Sequence, residues 1–268
     1  MTYKIAKFYH DKSQKTNHET RFYKARAFQI CQTAIERFAK SEGAKNCQNL
    51  QKKIKQKSFS FEFEKVNLPN TTVLATLKYQ NVKKLYAKIV KLDEGDYKKI
   101  KGVYAAQSKD RRTMAQLTVS FFNQKESLES WDLALPAVQD FHQYTAHIAI
   151  PKLQIGSYIV LLSTSDDFST LKNATAYSEI QLTDISYVIR DMPKSKQFLL
   201  LSRSTGKPLA GVNVEVTETN YNGSKKTNRA TYTSDKNGYF SIPRKQGSYN
   251  HIKFAYKKDV FEPNLRTA

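Results

Sequence analysis

The chain has 268 residues, of which 44 are Lys or Arg and 24 are Asp or Glu, so its formal net charge at pH 7 is +20. Hydrophobic residues make up 40% of the chain and aromatic residues 12%, which is enough for packed cores and excludes wholesale disorder. No apolar run reaches the roughly 18 residues that a membrane-spanning helix needs, so the sequence predicts no transmembrane segment.

The excess of basic residues raises the question of nucleic-acid binding, because a basic surface attracts nucleic acid and anionic membranes. Lys, however, greatly outnumbers Arg, which is the residue preferred for bidentate recognition of bases and phosphates. The lysines are also spread over the whole length of the chain. We therefore expect a solvated, lysine-rich surface and no specific nucleic-acid partner.

Residues 1–57 show the three- and four-residue apolar period of amphipathic helices. The apolar positions are Phe28, Cys31, Ile35 and Phe38 in one helix and Cys47, Leu50 and Ile54 in the next. The break between them predicts a helical hairpin of the tetratricopeptide kind. The two cysteines match no metal-ligand spacing, so we expect buried thiols, with a disulfide between the helices as the alternative in an exported chain.

Residues 58–180 are predicted to form a first β-sandwich, because apolar and polar residues alternate from SFSFEFE onward. VNLPN predicts a turn, and the next strand is predicted to begin at Val73 and to continue through Ile89 past a bulge near Asn81. A helical spacing between about 93 and 125 predicts a helical insertion. Strands return in SWDLALP, YTAHIAIP and SYIVLLS.

Residues 181–268 are predicted to form a second β-sandwich. Strands are predicted in IQLTDISYVIR, in KQFLLLSR, from Val212, and at the end around Phe254. NGSKK predicts a polar hairpin tip, and Asn237-Gly238 predicts a tight turn. The predicted fold is therefore mainly β, with two antiparallel β-sandwiches after a short helical segment.

The stretch STGKPLAGVNVEV places a Gly-Lys pair where a phosphate-binding loop would end. Such a loop needs a glycine five positions before the pair and Ser or Thr directly after it, but Leu201 and Pro208 occupy these places. A strand rather than a helix is predicted to follow. The stretch therefore predicts a turn in which Gly206 and Gly211 relieve the bend and Lys207 stays in water.

The remaining polar residues do not predict a catalytic, cofactor or metal site. The five histidines are scattered, at His10, His18, His142, His147 and His251. Asp235 and Asn237 fit two positions of a calcium loop, but the Asn-Gly turn already accounts for them. The cluster Asp93, Glu94 and Asp96 surrounds Gly95, which favours a solvated loop or helix start over paired catalytic carboxylates.

Several of these stretches together resemble the alpha-2-macroglobulin family. TGKPLAGVNVEV followed by TSDKNGYFSIP, with LTDISYVIRD before them, is similar to a macroglobulin-type β-sandwich. FSFEFEKVNLPN, LKYQNVKKLYAKIVKL and DFHQYTAHIAIPKLQIGSYIVLLS resemble the preceding macroglobulin domain of bacterial members, especially those of Bacteroidetes. CQTAIERFAKSEGAKNCQNLQKKI is similar to the tetratricopeptide-like segment that precedes it there.

The resemblance implies an envelope or extracellular protein that binds and traps proteases after cleavage of a bait segment. Neither cysteine matches the thioester motif of many members, so the chain resembles only the N-terminal structural portion, and we expect further macroglobulin domains of a parent chain and target proteases as partners. The start, MTYKIAKFYHDKSQ, has no signal peptide, which leaves a cytoplasmic protein or an internal piece of an exported chain. The alternative function is a transthyretin-like or carboxypeptidase-regulatory-like β-sandwich that binds a carbohydrate or a protein.

Overall fold

The computed structural model describes residues 2–13, 20–107, 111–136, 138–171, 173–220, 227–244 and 248–263. In these residues the helices are α1 Thr2–Lys12, α2 Tyr23–Arg37, α3 Glu42–Lys55, α4 Asp96–Gln107 and α5 Arg111–Asn123. The first strands are β1 Ser58–Glu62, β2 Val66–Asn67, β3 Val73–Gln80, β4 Lys84–Lys91, β5 Ser127–Ala134, β6 Tyr144–Ile150, β7 Gly156–Ser163 and β8 Thr175–Leu182. The later strands are β9 Ile185–Asp191, β10 Ser195–Ser202, β11 Asn213–Asn220, β12 Thr227–Thr233, β13 Tyr239–Pro243, β14 Ser248–Tyr256 and β15 Asp259–Phe261.

Helices α1 to α3 pack around a small core of their own. Ser41 begins α3 as an N-cap, because its hydroxyl accepts a hydrogen bond from the Ala44 amide at 3.1 Å. Cys31 and Cys47 are fully buried in this core and are free thiols, as the apolar period predicted. Phe38 was predicted on the apolar stripe of α2, but this was wrong. The helix ends at Arg37, and the Phe38 ring beyond it is 61% exposed.

The first sandwich consists of two sheets whose inner faces share one core. One sheet has the strand order β1-β3-β6, and the other has the order β2-β8-β7-β4-β5. All pairings are antiparallel except that of β2 with β8. The core combines Leu77 and Ile150 from the first sheet with Leu85, Val160 and Ile180 from the second. The strand β2 lies in the stretch VNLPN, so part of the predicted turn is a strand.

The segment from Val73 to Ile89 was predicted as one bulged strand, and the structure corrects this. Strands β3 and β4 belong to the two opposite sheets, and Asn81 lies in the connection with a positive φ of 57°. Asparagine tolerates this left-handed conformation, which lets the chain cross between sheets within a few residues. Alternation continues on both sides of such a crossing, so periodicity alone cannot distinguish it from a bulge.

Helices α4 and α5 connect β4 to β5 and cover the outer face of the five-stranded sheet. Ile100 of α4 and Phe122 of α5 pack with Val90, Ile159 and Leu161 of that sheet in a second cluster of buried residues. The strands β4 and β7 are therefore buried on both faces, which explains the nearly continuous apolar run YIVLL. The helical structure predicted between about 93 and 125 is confirmed by α4 and α5.

The second sandwich packs the sheet β13-β10-β9 against the sheet β12-β11-β14-β15. Its core is rich in phenylalanine, with Phe198 and Phe240 from one sheet and Phe254 and Phe261 from the other. Strand β8 pairs with β7 as far as Leu182 and β9 begins at Ile185, so residues 183–184 connect the two sandwiches. The predicted hairpin tip NGSKK lies outside the described residues.

Candidate functional site

A cavity of about 550 Å³ lies where the helical segment meets the first sandwich. Its walls come from α2, from the end of α3, from the β3–β4 connection and from the segment before β6. The aromatic side chains lining it are Phe28, Tyr79, Phe141 and Tyr144. The polar side chains lining it are Gln29, Lys55, Asn81, Lys83, Gln139 and His142. An apolar cavity of this size with a few polar groups is typical of a small-molecule site.

One wall of the cavity is fixed by the buried carboxylate of Asp140, which is 1% exposed. Its Oδ2 atom accepts a hydrogen bond from Arg21 Nε at 3.2 Å and another from the Tyr144 hydroxyl. Its Oδ1 atom accepts from the His142 amide at 3.1 Å. The carboxylate therefore joins the segment before α2 to the loop before β6, and we call this arrangement the Asp140 node.

The electrostatics of the Asp140 node favour the ionised carboxylate. Desolvation alone would raise the pKa of Asp140, but the hydrogen bonds from Tyr144, the His142 amide and Arg21 outweigh it and hold that pKa below its usual value. The His142 ring joins the same two segments, because its Nε2 atom lies 2.7 Å from the Arg21 carbonyl oxygen. Because a carbonyl oxygen only accepts, Nε2 donates its N–H here, and the ring adds a second contact between the two segments.

Phe141 lies at the centre of the cavity wall in a left-handed conformation, with a φ of 60°. Its carbonyl oxygen accepts from Gln80 Nε2 at 2.8 Å and from Lys24 Nζ at 3.4 Å, and its ring lies 5.3 Å from that of Phe28. Positive φ is uncommon for an aromatic residue, so the surrounding contacts must compensate for the strain.

The opposite rim carries two lysines whose backbones are held in place. The Asn81 side-chain amide donates to the carbonyl oxygens of Ile54 and Gln56, at 2.7 and 2.9 Å, on either side of Lys55. The Lys83 carbonyl oxygen accepts from the Leu135 amide at 2.8 Å. The cavity thus has aromatic walls and a cationic rim, and its lining contains no Asp or Glu.

The Gly-Lys stretch is a turn and not a phosphate-binding loop. Gly206 and Gly211 have φ values of 70° and 75°, and Lys207 is exposed. Pro208 forms an isolated antiparallel bridge with Leu201, and the chain then continues into β11 instead of a helix. The sequence-based interpretation of this stretch is confirmed.

The second predicted turn is tighter, because Gly238 approaches the backbone of β10. Its φ is 81°, and a Cβ atom built there would lie 2.5 Å from the Leu200 carbonyl oxygen, whereas a Cβ at Gly211 would meet no atom within 4 Å.

We expect Gly211→Ala to lower the free energy of unfolding by about 1–2 kcal/mol, because alanine is strained in this left-handed conformation. Gly238→Ala should cost distinctly more, since the clashing atom is backbone. Urea unfolding of both variants measures the ranking, and equal or reversed losses would contradict the turn geometry.

Asp235 stabilises that same turn. Its Oδ1 atom accepts from the Asn237 and Tyr239 amides, at 2.9 and 2.8 Å.

The acidic cluster after β4 is likewise structural. Asp96 begins α4, its carboxylate accepts from the Asp93 amide at 2.9 Å, and Lys125 Nζ lies 2.6 Å from it.

The histidines do not come together. His10 is buried near Asp11, His147 is exposed on β6, and His251 lies 3.5 Å from Glu262. His18 lies outside the described residues. Within the described ranges no group of three or more His, Cys, Asp or Glu side chains could hold a metal ion.

A second junction joins the two sandwiches at residues 183–184. Asp259, on β15, accepts a hydrogen bond from the Asp184 amide at 2.8 Å. The Asp184 carboxylate in turn accepts from the Ser202 hydroxyl and the Ser204 amide, both at 2.8 Å. Asp259 is 5% exposed, and its Oδ1 atom is buried without a hydrogen-bond partner.

This junction should make stability depend on pH. Desolvation raises the pKa of Asp259, with a further rise from the Asp184 charge. In the unfolded chain the pKa of an aspartate is about 3.9, and in the folded chain the pKa of Asp259 is higher. The stability that the protonated side chain provides is therefore fully present below about pH 3.9 and is lost as the pH rises through the folded-state pKa. Asp259→Asn keeps an acceptor for the Asp184 amide but removes the buried charge, so we expect its stability relative to the parent to increase from pH 4 to pH 7. Urea unfolding across this range, with exposed Asp166→Asn as the control, measures the difference, and parallel curves would refute it.

Sequence reasoning missed both junctions. Arg21 and Asp140 are 119 residues apart, and no local pattern around either one indicates the other. The only local sign is the stretch QDFHQY before β6, where the alternation of a strand is interrupted by polar and aromatic residues.

No protein-family model matches the chain, and no curated protein matches it. Solved structures do match. An Escherichia coli alpha-2-macroglobulin fragment spanning domains MG0-NIE-MG1 is 13% identical, with a TM-score of 0.52, over 79% of this chain and 64% of the fragment. The fold is macroglobulin-like. A second E. coli fragment, spanning NIE-MG1, gives 11% identity and a TM-score of 0.49 over 79% of this chain and 99% of the fragment.

A Salmonella alpha-2-macroglobulin mutant gives 13% identity and a TM-score of 0.47 over 77% of this chain and 12% of the Salmonella chain. This chain therefore spans less than two thirds of the E. coli MG0-NIE-MG1 fragment and a small part of the Salmonella protein. At 13% identity, the match to the E. coli MG0-NIE-MG1 fragment establishes the fold alone. In the described residues, no helix combines the length and hydrophobicity required to cross a membrane.

Proposed function

We propose that the chain is the non-catalytic, N-terminal scaffold portion of an alpha-2-macroglobulin-like endopeptidase inhibitor of the bacterial cell envelope. The observation that carries the proposal is the pair of consecutive β-sandwiches, since their fold matches the E. coli alpha-2-macroglobulin fragment over 79% of the chain. The order of a helical segment and two sandwiches also agrees with the resemblance found in the sequence.

A scaffold must hold its domains in fixed orientations, and both junctions have contacts suited to this role. The Asp140 node and the His142–Arg21 contact fix the helical segment to the first sandwich. Asp259 and Gln181 fix the first sandwich to the second, because the Gln181 side chain donates to the Val260 carbonyl oxygen at 3.1 Å. Hydrogen bonds to the buried Asp140 and Asp259 carboxylates are directional, and together with the exposed Gln181 contact they favour fixed orientations of the domains.

We propose further that the chain is not itself an enzyme. Asp140, Asp96 and Asp184 accept hydrogen bonds from backbone amides and neighbouring side chains and act as structural groups. A catalytic carboxylate would instead face a substrate cavity with its pKa matched to proton transfer. The partners proposed for the chain are further macroglobulin domains of a parent chain and, through them, target proteases. The proposed location is the periplasm or the cell surface.

The proposal is tested on the natural protein in which residues 1–268 occur, purified from its source and compared with the isolated chain. Each is incubated with serine, cysteine and metalloproteases, and hydrolysis of a protein substrate is followed. We expect the natural protein to inhibit at least one class, and the isolated chain neither to inhibit nor to hydrolyse. Hydrolysis by the isolated chain, or no inhibition by the natural protein in any class, would contradict the proposal.

A further inference from the structure

The cavity between the helical segment and the first sandwich has the composition of a binding site for an amphipathic anion. Its volume of about 550 Å³ falls within the range of small-molecule sites. Four aromatic residues line it, of which Phe28, Phe141 and Tyr144 are half-buried and can offer apolar area to a ligand, whereas Tyr79 is buried. Such a lining favours a compact apolar or aromatic group over a fully polar one.

The charge of the lining is one-sided. Lys55 and Lys83 line the cavity, and none of the described Asp or Glu residues does. The nearest carboxylate in sequence, Asp140, is 1% exposed and is already bound by Arg21, Tyr144 and the His142 amide. It therefore does not present a competing anion to the cavity.

The backbone that carries the two lysines is held in place by hydrogen bonds. The Asn81 amide holds the carbonyl groups on both sides of Lys55, and the Leu135 amide holds that of Lys83. Lys55 Nζ lies over the Phe28 ring, 4.5 Å from its centre, in a cation–π contact, so this cation is next to one of the aromatic residues that line the cavity. A ligand with a carboxylate near these lysines and an apolar body against the aromatic side chains would satisfy both parts of the lining.

We propose that this cavity binds a small carboxylate with an apolar or aromatic body. Two kinds of ligand carry a carboxylate on such a body: the C-terminal residue of a peptide, and a free medium-chain or aromatic acid. The site does not depend on the proposed scaffold function, because it is built from residues of the helical segment and the first sandwich alone. A ligand there contacts both units, so binding should also stabilise their junction.

Calorimetric titration of the purified chain tests the inference with two pairs of probes. N-acetyl-leucyl-phenylalanine and its C-terminal amide represent the peptide source, and decanoate and 1-decanol represent the free acid. We expect saturable binding of at least one carboxylate probe at micromolar to millimolar concentration. Its neutral analogue should bind at least tenfold more weakly, and the probe that binds identifies the source.

Matched variants locate the site. Lys55→Gln/Lys83→Gln removes the two rim charges, and Lys45→Gln/Lys152→Gln removes two exposed charges elsewhere, so both variants have the same net charge. We expect at least a tenfold loss of affinity in the first and less than a twofold change in the second. Ala25→Phe, on the half-buried cavity face of α2, should fill the cavity and abolish binding while circular dichroism shows an intact fold.

Three results would overturn the inference. The first is the absence of saturable binding by both carboxylate probes to the folded chain. The second is equal affinity for a carboxylate and its neutral analogue. The third is a failure of the variants to locate the site, seen either as an equal effect of the rim and control lysine variants or as unchanged binding to folded Ala25→Phe. None of these results bears on protease inhibition by the natural protein, so failure here is distinguishable from failure of the scaffold proposal.

Discussion

Replacing Asp140 with Ala is expected to destabilise the chain by about 3 kcal/mol and to release the helical segment from the first sandwich. The carboxylate is 1% exposed and is the common acceptor for Arg21, the Tyr144 hydroxyl and the His142 amide. Its removal leaves buried donors without a partner, and this desolvation cost is larger than the net gain from an ordinary hydrogen bond. Urea unfolding measures the loss, and hydrogen exchange should show faster exchange of the α2 amides.

The matched variant is Asp140→Asn, which keeps an acceptor for the His142 amide but loses the charge facing Arg21. We expect an intermediate loss of stability. Arg21→Ala should have a smaller effect than Asp140→Ala, because the arginine side chain is 48% exposed and water can replace its contacts. If Asp140→Ala changes the unfolding free energy by less than about 0.5 kcal/mol, as an exposed substitution would, the node does not hold the junction together.

Phe254→Ala should cost about 3–5 kcal/mol in the unfolding transition of the second sandwich. Phe254 is fully buried, and its ring centre lies 5.9–6.5 Å from those of Tyr187, Phe198, Phe240 and Phe261. Truncation removes its buried area and leaves a cavity that rings on both sheets cannot fill by small movements.

Leu171→Ala is the control for Phe254→Ala, because Leu171 is 91% exposed and should change stability by less than about 0.5 kcal/mol. Differential scanning calorimetry and urea unfolding measure both losses. Similar small losses for both variants would show that the phenylalanine core does not determine the stability of this domain.

Local patterns in the sequence predicted much of the fold. The alternation around Val214 and Phe254 is that of strands with one buried face, and both residues are fully buried. Strands β5, β6 and β7 and helices α4 and α5 also lie where the period indicated. These elements were predictable because their burial follows directly from spacing along the chain.

The crossing at Asn81 and the ends of the first sandwich could not be predicted in the same way. Val73 and Ile89 show the same alternation, although β3 and β4 lie in opposite sheets. Sheet membership depends on pairing partners distant in sequence, such as β6 for β3 and β7 for β4. A single sequence contains no signal for these pairings, since either assignment buries the same face.

The candidate site was not predictable for a related reason. Its cavity combines residues from Ala25 to Tyr144, and one of its walls depends on the contact between Asp140 and Arg21, which are 119 residues apart. The sequence instead drew attention to the Gly-Lys turn, where the residue types of a nucleotide site occur without their required spacing. A site formed at a junction between domains is visible only after those domains are placed together.

The size and location of the natural protein test the scaffold account most directly. Antibodies raised against the purified chain are used to immunoblot periplasmic, envelope and cytoplasmic fractions of the source cells, with a marker protein for each fraction. The account predicts one species well above the 30.8 kDa of this chain, in the periplasmic or envelope fraction. A 30.8 kDa species confined to the cytoplasmic fraction would contradict it.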